Sequence, residues 1–145
     1  MNLSKEVKIS KALDYASGTA DRNGEILDMQ NCTGVLMVVK PASIATGATY
    51  SIKAQQGAAA DLSDAADLEG TKIDIGDTQD NEIFVIDLYK PEERYVRVVA
   101  DKDGANAVAE SAMYIQYEGR VRPEDNVIAG EITTKLHISP DEGTA

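Results

Sequence analysis

Short runs of β-branched and other apolar residues recur along the chain, separated by Gly, Asp, Asn and Pro. Most of these runs alternate apolar and polar positions, which is the pattern of a half-buried β-strand. The run at residues 34–40 is instead continuously apolar up to Pro41, which is typical of a strand covered on both faces. The predicted strands comprise residues 6–10, 25–29, 34–40, 49–56, 71–75, 82–89, 94–100, 110–119 and 130–139.

Many short strands without βαβ alternation predict an all-β fold. We expect an antiparallel β-sandwich, jelly-roll-like, in which residues 1–139 form a single domain. Residues 140–145 are small and acidic, and we expect them to form a mobile C-terminal tail. Alternation also assigns residues to faces. The predicted sets are Val7 with Ile9; Tyr50 with Ile52 and Ala54; Met113 with Ile115 and Tyr117; and Val96, Val98 and Ala100 as core opposite Tyr95, Arg97 and Val99.

Residues 57–70 form an alanine-rich acidic segment in which Asp61, Asp64 and Asp67 are spaced by three. An isolated helix of this length is marginal in water, so the segment is predicted to be a long loop with at most a short helical turn. The aspartates favour a solvated acidic loop, since like charges on one helical face repel each other. The functional alternative is that the loop lies along a basic partner surface.

The charge balance restricts the class of partner. The chain has 25 acidic and 14 basic residues and a net charge of −11, which disfavours binding to nucleic-acid phosphates. A single cysteine, Cys32, rules out an intramolecular disulfide. The N-terminus lacks the apolar stretch of a signal peptide, and no run approaches the length of a membrane span. We therefore expect synthesis in the cytoplasm and no membrane anchor.

The acidic turns carry the candidate metal chemistry. Residues 101–108 begin like a calcium loop, with Asp101, Asp103 and Asn106, but they lack the ligands expected at the fifth and twelfth positions. An Asp-Gly hairpin turn is the favoured interpretation. Residues 21–24 are interpreted in the same way, with Asn23 and Gly24 expected to supply positive φ angles.

Catalysis finds little support in the residues. Nucleophilic catalysis needs a histidine base, and His137 is the single histidine, predicted on the polar face of the last strand. No glycine-rich phosphate motif occurs in the sequence. A pair of acidic residues acting on a glycoside stays open, although the absence of tryptophan disfavours it. We expect no enzymatic activity, no cofactor and no bound metal.

Four segments of residues 3–119 resemble the decoration, or cement, proteins of tailed-bacteriophage capsids. The most distinctive phrases are "KAQQG…DLSDAADLEGT" and "KPEERYVRVV"; "LSKEVKISKAL" and "ASGTADRNGEILDMQNCTGVLMVV" complete the resemblance. It implies a β-sandwich that assembles as a dimer or trimer on the outer capsid surface and binds the major capsid protein. It implies no catalytic residues, and residues 120–145 match nothing in the family.

The resemblance suggests three sets of partner-binding residues. They are Leu3, Lys5 and Val7 in the N-terminal strand, Asp61, Asp64 and Asp67 in the acidic loop, and Arg94 with Arg97. Deleting residues 1–11 or the loop is expected to abolish capsid binding and leave the fold intact. A tail-tube, head-closure or fibre component is a near variant. A carbohydrate-binding module or acidic-pair hydrolase on a β-sandwich is the alternative from another class.

Overall fold

The computed structural model describes residues 2–122, 126–139 and 141–143. One short helix, α1, precedes ten strands. The elements are α1 Leu3–Glu6, β1 Lys8–Gly18, β2 Arg22–Asn23, β3 Leu27–Asp28, β4 Gly34–Ile44, β5 Tyr50–Gly57, β6 Ala66–Asp67, β7 Ile73–Ile75, β8 Phe84–Tyr89, β9 Tyr95–Lys102 and β10 Val108–Tyr117.

The strands form two antiparallel sheets, which makes the protein an all-β sandwich. The first sheet has four strands in the order β1-β10-β4-β8. In the second sheet, β9 and β5 are the central strands and pair with each other. The short strands β2 and β3 both pair with β9. The short strands β6 and β7 both pair with β5. If β2 with β3 and β6 with β7 are each taken as one interrupted strand, eight strands divide equally between the sheets. This is the arrangement of a double-sheet jelly roll.

The core lies between the two sheets and is mostly aliphatic, as the scarcity of aromatic residues requires. Strand β9 buries the predicted face completely, with Val96, Val98 and Ala100 at 0% exposure. The predicted face of β5 is also buried, which confirms Tyr50, Ile52 and Ala54 as core. Both assignments hold because β9 and β5 pair with each other at the centre of their sheet.

Tyr114 links the two sheets through its hydroxyl group. The hydroxyl donates to the Glu25 carbonyl oxygen at 2.8 Å and accepts from the Val98 amide at 3.0 Å. Gly24 lies against this bridge, and a Cβ there would be 2.6 Å from the Tyr114 oxygen. The positive φ expected at Asn23 and Gly24 is wrong, since Asn23 is in strand β2 and neither residue has one. Close approach of the sheets is what requires the glycine.

A second polar cluster is buried near one end of the sandwich. The fully buried carboxylate of Glu110 lies 3.0 Å from the Lys102 ammonium, which is also fully buried, and 2.9 Å from the Arg22 guanidinium. The Lys102 ammonium also donates to the Gly18 and Val108 carbonyl oxygens at 3.2 and 3.1 Å. The contact of Glu110 Oε2 with Lys102 is a close ion pair with poor hydrogen-bond alignment. These contacts compensate the cost of burying the charges.

Several element boundaries differ from the sequence-based expectations. Residues 3–6 form a helical turn, and the first strand starts at Lys8 and runs to Gly18. Strand β4 continues through Pro41 to Ile44, because the proline lies at a register shift between β4 and β10 where the ladder is already interrupted. The prediction that Pro41 ends this strand is therefore wrong.

The predicted C-terminal strand is also wrong. Among the described residues 126–139, Ile128 and Ile132 form an isolated bridge, and residues 130–139 form no strand. The exposed side chains of Leu136 and Ile138 show why: alternation alone cannot form a strand without a neighbouring edge to pair with. Of the predicted mobile tail, residues 140, 144 and 145 lie outside the described residues.

The C-terminal segment is nevertheless anchored, through Asn126. Its buried amide donates to the carbonyl oxygens of Ser4 and Val7 at 2.8 and 2.7 Å and accepts from the Ile9 amide at 2.8 Å. Residues 8–11 pair with β10 directly after this contact. A deletion of residues 1–11 would remove part of an edge strand and its anchor, so we expect it to disturb the fold as well as the predicted contact.

Candidate interaction surfaces

The predicted N-terminal contact residues are divided between surface and core. Leu3, on helix α1, is 59% exposed, and Lys5 on the same turn is half-buried. Val7 is 7% exposed and belongs to the buried hydrophobic residues. Leu3 and Lys5 are therefore available to a partner, whereas Val7 stabilises the fold and is not a surface contact.

The three loop aspartates hold the loop in place. The carboxylate of Asp64 accepts the backbone amides of Ala58 and Ala59, and that of Asp61 accepts the Ser63 amide at 3.0 Å. Such local acceptors stabilise turns without requiring a helix. The backbone amide of Ser63 lowers the pKa of Asp61. The loop contains hydrogen-bonded turns and the short strand β6, and no helix.

Asp67 lies on strand β6 and bonds across to strand β5. Its carboxylate accepts from the Lys53 ammonium at 2.8 Å and from the Gln55 side chain at 2.7 Å. The Lys53 hydrogen bond lowers the pKa of Asp67, and the same bond raises the pKa of Lys53. The loop is consequently a fixed acidic surface, and its Leu62 is 4% exposed and lies against Gly57 at the end of β5. Deleting residues 57–70 would remove this buried leucine and β6, so we expect this deletion to disturb the fold too.

The two predicted arginines have different local partners. Arg94 forms a two-point contact with Asp28, at 3.0 and 2.7 Å, and also donates to the Gln30 side chain. The Arg94 guanidinium lowers the pKa of Asp28. Arg97 donates to the Gln55 side chain at 2.9 Å on the outer side of the second sheet. Arg94 is thus an ion-pair residue, and the structure does not bring it together with the acidic loop or helix α1 into one described contact.

The acidic turn at residues 101–106 has a structural role. Asp103 accepts the amides of Asn106, Ala105 and Thr49 at 2.9, 2.8 and 3.0 Å. These backbone donors, led by Asn106, lower the pKa of the Asp103 carboxyl group strongly. The predicted turn is confirmed, but it is not a hairpin within one sheet, since it connects β9 in the second sheet to β10 in the first.

Residues that could support other chemistry are dispersed. Within the described parts of the chain, no group of three or more His, Cys, Asp or Glu side chains is placed to hold a metal ion. His137 is exposed and, since no strand forms there, the predicted strand face does not exist. No helix among the described residues is long and apolar enough to cross a membrane.

The outer face of the four-stranded sheet is an apolar surface that the sequence-based site prediction missed. Cross-strand pairing aligns its side chains: Ile9 with Ile115, Ile115 with Leu36, Leu36 with Asp87, Met113 with Val38, and Val38 with Val85. Met113 is 46% exposed and Val85 is 44% exposed. We define the outer face by the six apolar residues Ile9, Leu36, Val38, Val85, Met113 and Ile115. The continuous apolar run at 34–40 was the available signal, because it indicated a strand with two covered faces.

Two tyrosines complete one end of the outer face. Tyr89 and Tyr117 lie on either side of Gly34, with parallel rings whose centroids are 6.3 Å apart. A Cβ on Gly34 would be 2.2 Å from the Tyr117 ring, so the ring lies directly against the glycine backbone. The Tyr117 hydroxyl donates to Asp87 at 2.6 Å, and the Tyr89 hydroxyl donates to Glu118 at 3.2 Å. Desolvation and the Asp87 carboxylate raise the pKa of Tyr117.

Comparison with known proteins yields a likeness of fold. No protein-family model and no curated protein matches the chain. Among solved structures, the PBSX exported protein XepA superposes with a TM-score of 0.54 at 12% sequence identity. The match covers 98% of this chain and 46% of XepA, so the chain spans about half the length of that protein. At this identity the likeness shows a shared β-sandwich architecture.

Proposed function

We propose that this protein is a non-enzymatic virion structural protein of a tailed phage: a capsid decoration protein that binds the outer surface of the major capsid shell. In this role it stabilises the shell across capsomer contacts and acts as a homo-oligomer, a dimer or trimer. It is made in the host cytoplasm and resides on the capsid surface. It acts without cofactor, nucleic acid or membrane.

The observation that carries the proposal is how the polar groups are used. The aspartates of the acidic loop, the turn at Asp103 and the Arg94–Asp28 pair all hold backbone or strands in fixed positions. Such an arrangement produces a rigid acidic body with preformed surfaces, which suits binding to a basic protein surface. The sequence resemblance to tailed-phage decoration proteins supports this class, and the fold shared with PBSX exported protein XepA is compatible with it.

A shell-binding assay tests the proposal. The full chain is mixed with shells of the parent phage that lack it, and co-sedimentation and the temperature of shell disruption are measured. We expect saturable binding and a higher disruption temperature, because many weak contacts on one shell add through avidity. Electron microscopy of the parent virion separates a capsid position from a tail-tube, head-closure or fibre position. An unaltered shell with no bound protein would refute the proposal.

Two point variants test the predicted N-terminal contact without removing part of the fold. Leu3→Glu adds a charge to an exposed side chain of helix α1 and is expected to weaken shell binding if this turn contacts the capsid. Tyr15→Glu is the matched control, since Tyr15 is 67% exposed on β1 and belongs to no predicted contact set. Equal binding by both variants would remove helix α1 from the capsid interface.

A second candidate function, carbohydrate binding, rests on the Tyr89–Tyr117 pair. Parallel aromatic rings beside the carboxylates of Asp87 and Glu118 are groups that sugars can stack on and bond to. One feature opposes it: the Lys90 ammonium lies 5.2 Å from the Tyr89 ring centroid and competes for that ring. Glycan-array binding that is lost in Tyr89→Ala would support this function, and a silent array would remove it.

A further inference from the structure

The outer face of the four-stranded sheet is unusual because its strand β4 is apolar on both sides. Val35, Met37 and Val39 of β4 face the core at 0% exposure. Leu36 and Val38, between them on the chain, point to the opposite side and are half-buried by neighbouring strands alone. A contiguous apolar patch of this kind marks an interaction site more often than a free surface.

In the described parts of the chain, the contacts of the C-terminal segment are with another part of the sandwich. The C-terminal segment lies elsewhere: Ile128 and Glu131 border a groove formed by Ser10, Ala12 and Tyr114, which are on the core side of β1 and β10. Asn126 fixes the start of this segment beside the β1 edge. The described part of the C-terminal segment therefore closes the side of the sandwich and not its outer face.

The outer face carries charges of both signs, whereas the whole chain carries −11. Lys40 lies at the end of the face where Ser111 pairs with β4. Lys11 pairs with Met113 at the same end, but its ammonium is 2.9 Å from the Asp14 carboxylate and is neutralised there. Asp87 lies towards the opposite end, beside Tyr117 and Glu118. A copy of the same face, turned end to end, would place its acidic end over this basic end.

We propose that the outer face is a self-association surface on which a second copy of this chain packs with its strands reversed in direction. The two-fold axis would lie in the interface, perpendicular to the strands, so that Lys40 of each copy meets the Tyr117–Asp87 end of the other. Packing along an axis parallel to the strands would instead bring the lysines together. Isologous two-fold contacts of this kind are the commonest in soluble oligomers.

The area of the outer face limits how stable the proposed dimer can be. Four strands about 4.8 Å apart and seven residues of about 3.3 Å rise give a flat area of roughly 440 Å² per copy. Two copies would bury about 900 Å², which is near the lower limit of about 1,000 Å² for a specific interface. An interface of this size is weak or transient, so we expect the dimer to form at the higher protein concentrations. The proposed interface does not depend on the proposed function. Only the role of the dimer as the unit that binds a capsid shell rests on that function.

Sedimentation of the full chain over about 1 μM to 1 mM tests the inference. We expect a monomer–dimer equilibrium whose dissociation constant rises at least about tenfold in Met113→Glu, equivalent to about 1.4 kcal/mol. Ile138→Glu is the matched control, because Ile138 is 79% exposed and belongs to none of the four strands that form the outer face. We expect its dissociation constant to match that of the wild type. A wild type that stays monomeric throughout, or a dimer that Met113→Glu leaves intact, would overturn the inference.

A charge exchange tests the orientation. Lys40→Glu and Asp87→Lys each place like charges across the reversed packing and are expected to weaken the dimer severalfold, whereas the double variant restores it. No restoration would overturn the reversed arrangement. Shell binding separates the two proposals: wild-type dimers that do not bind shells refute the proposed function and leave the interface standing. If instead the wild type stays strictly monomeric and binds shells, the proposed interface is refuted and the binding to the shell stands.

Discussion

The most informative perturbation of the fold is removal of one charge from the buried cluster around Glu110. Glu110→Gln keeps the size and shape of the side chain, so the cavity contribution is small. It removes the negative charge next to the Lys102 ammonium, which lies 3.0 Å away with a side chain that is 0% exposed. The lysine would then be buried with two carbonyl oxygens and an amide as its partners.

The expected cost follows from this burial. Breaking a buried ion pair by removing one partner costs about 3–5 kcal/mol, because the remaining charge is uncompensated. The contact with Arg22 changes this cost little. The Arg22 side chain is 24% exposed, and an ion pair that is open to solvent contributes only about 0–1 kcal/mol. We expect a loss near 3 kcal/mol, a large share of the roughly 5–15 kcal/mol that stabilises a domain. The midpoint of thermal unfolding should fall by about 6–12 °C.

The assay is guanidinium unfolding followed by far-ultraviolet circular dichroism, which suits a protein without tryptophan. The control is a double variant, Glu110→Leu with Lys102→Met, in which both charges are replaced by apolar groups. Its stability should lie close to that of the wild type or above it, since well-packed apolar replacements of buried pairs are often neutral or stabilising. The reasoning fails if Glu110→Gln costs less than about 1 kcal/mol while unfolding stays two-state, or if the double variant is the less stable of the two.

Three further perturbations test other parts of the structure. Gly24→Ala should cost about 1–3 kcal/mol in denaturant unfolding, because its Cβ would lie 2.6 Å from the tyrosine oxygen that bridges the sheets; Gly18→Ala, which meets nothing within 4 Å, is the control, and equal stabilities would contradict this account. Asn126→Ala should speed amide hydrogen exchange at residues 7–9, and Asn2→Ala, whose side chain caps nothing, should not. Asp103→Ala should destabilise the protein at neutral pH. Because folding lowers the Asp103 pKa, its contribution is present above the ordinary value of 3.8 and is lost as the pH falls below it. Urea unfolding at pH 7 and pH 2 checks this, and a pH-independent difference would count against it.

The sequence predicted the class of fold because period-two alternation reports local burial. The faces of β5 and β9 were assigned correctly from residues 49–56 and 94–100 alone, since each central strand buries one apolar face. The same reasoning failed at residues 130–139. Alternation there is as clear as in β5, but a strand also needs a partner edge, and pairing is a property of the whole fold.

The candidate site was less predictable than the fold. Of the eight residues expected to bind a partner, Val7 proved buried and the three loop aspartates proved to hold their own loop. The sequence cannot distinguish a carboxylate that accepts a hydrogen bond from a nearby backbone amide from one that accepts none. The difference depends on the path that the backbone takes around the side chain. The apolar outer face was visible in outline, through the run at 34–40 and the set Met113, Ile115 and Tyr117, but not as a surface.

By itself, then, the sequence determined an acidic all-β sandwich with an aliphatic core, since composition and alternation depend on neighbours a few residues apart. The tertiary structure decided the rest. It determined that Glu110, Lys102 and Arg22 share one buried cluster, that Asn126 joins residues 4–9 to the C-terminal segment, and that the outer apolar residues of β4 are only half-buried among the described residues. Each of these depends on contacts between residues far apart in the chain, and the order in which strands enter the two sheets sets those contacts.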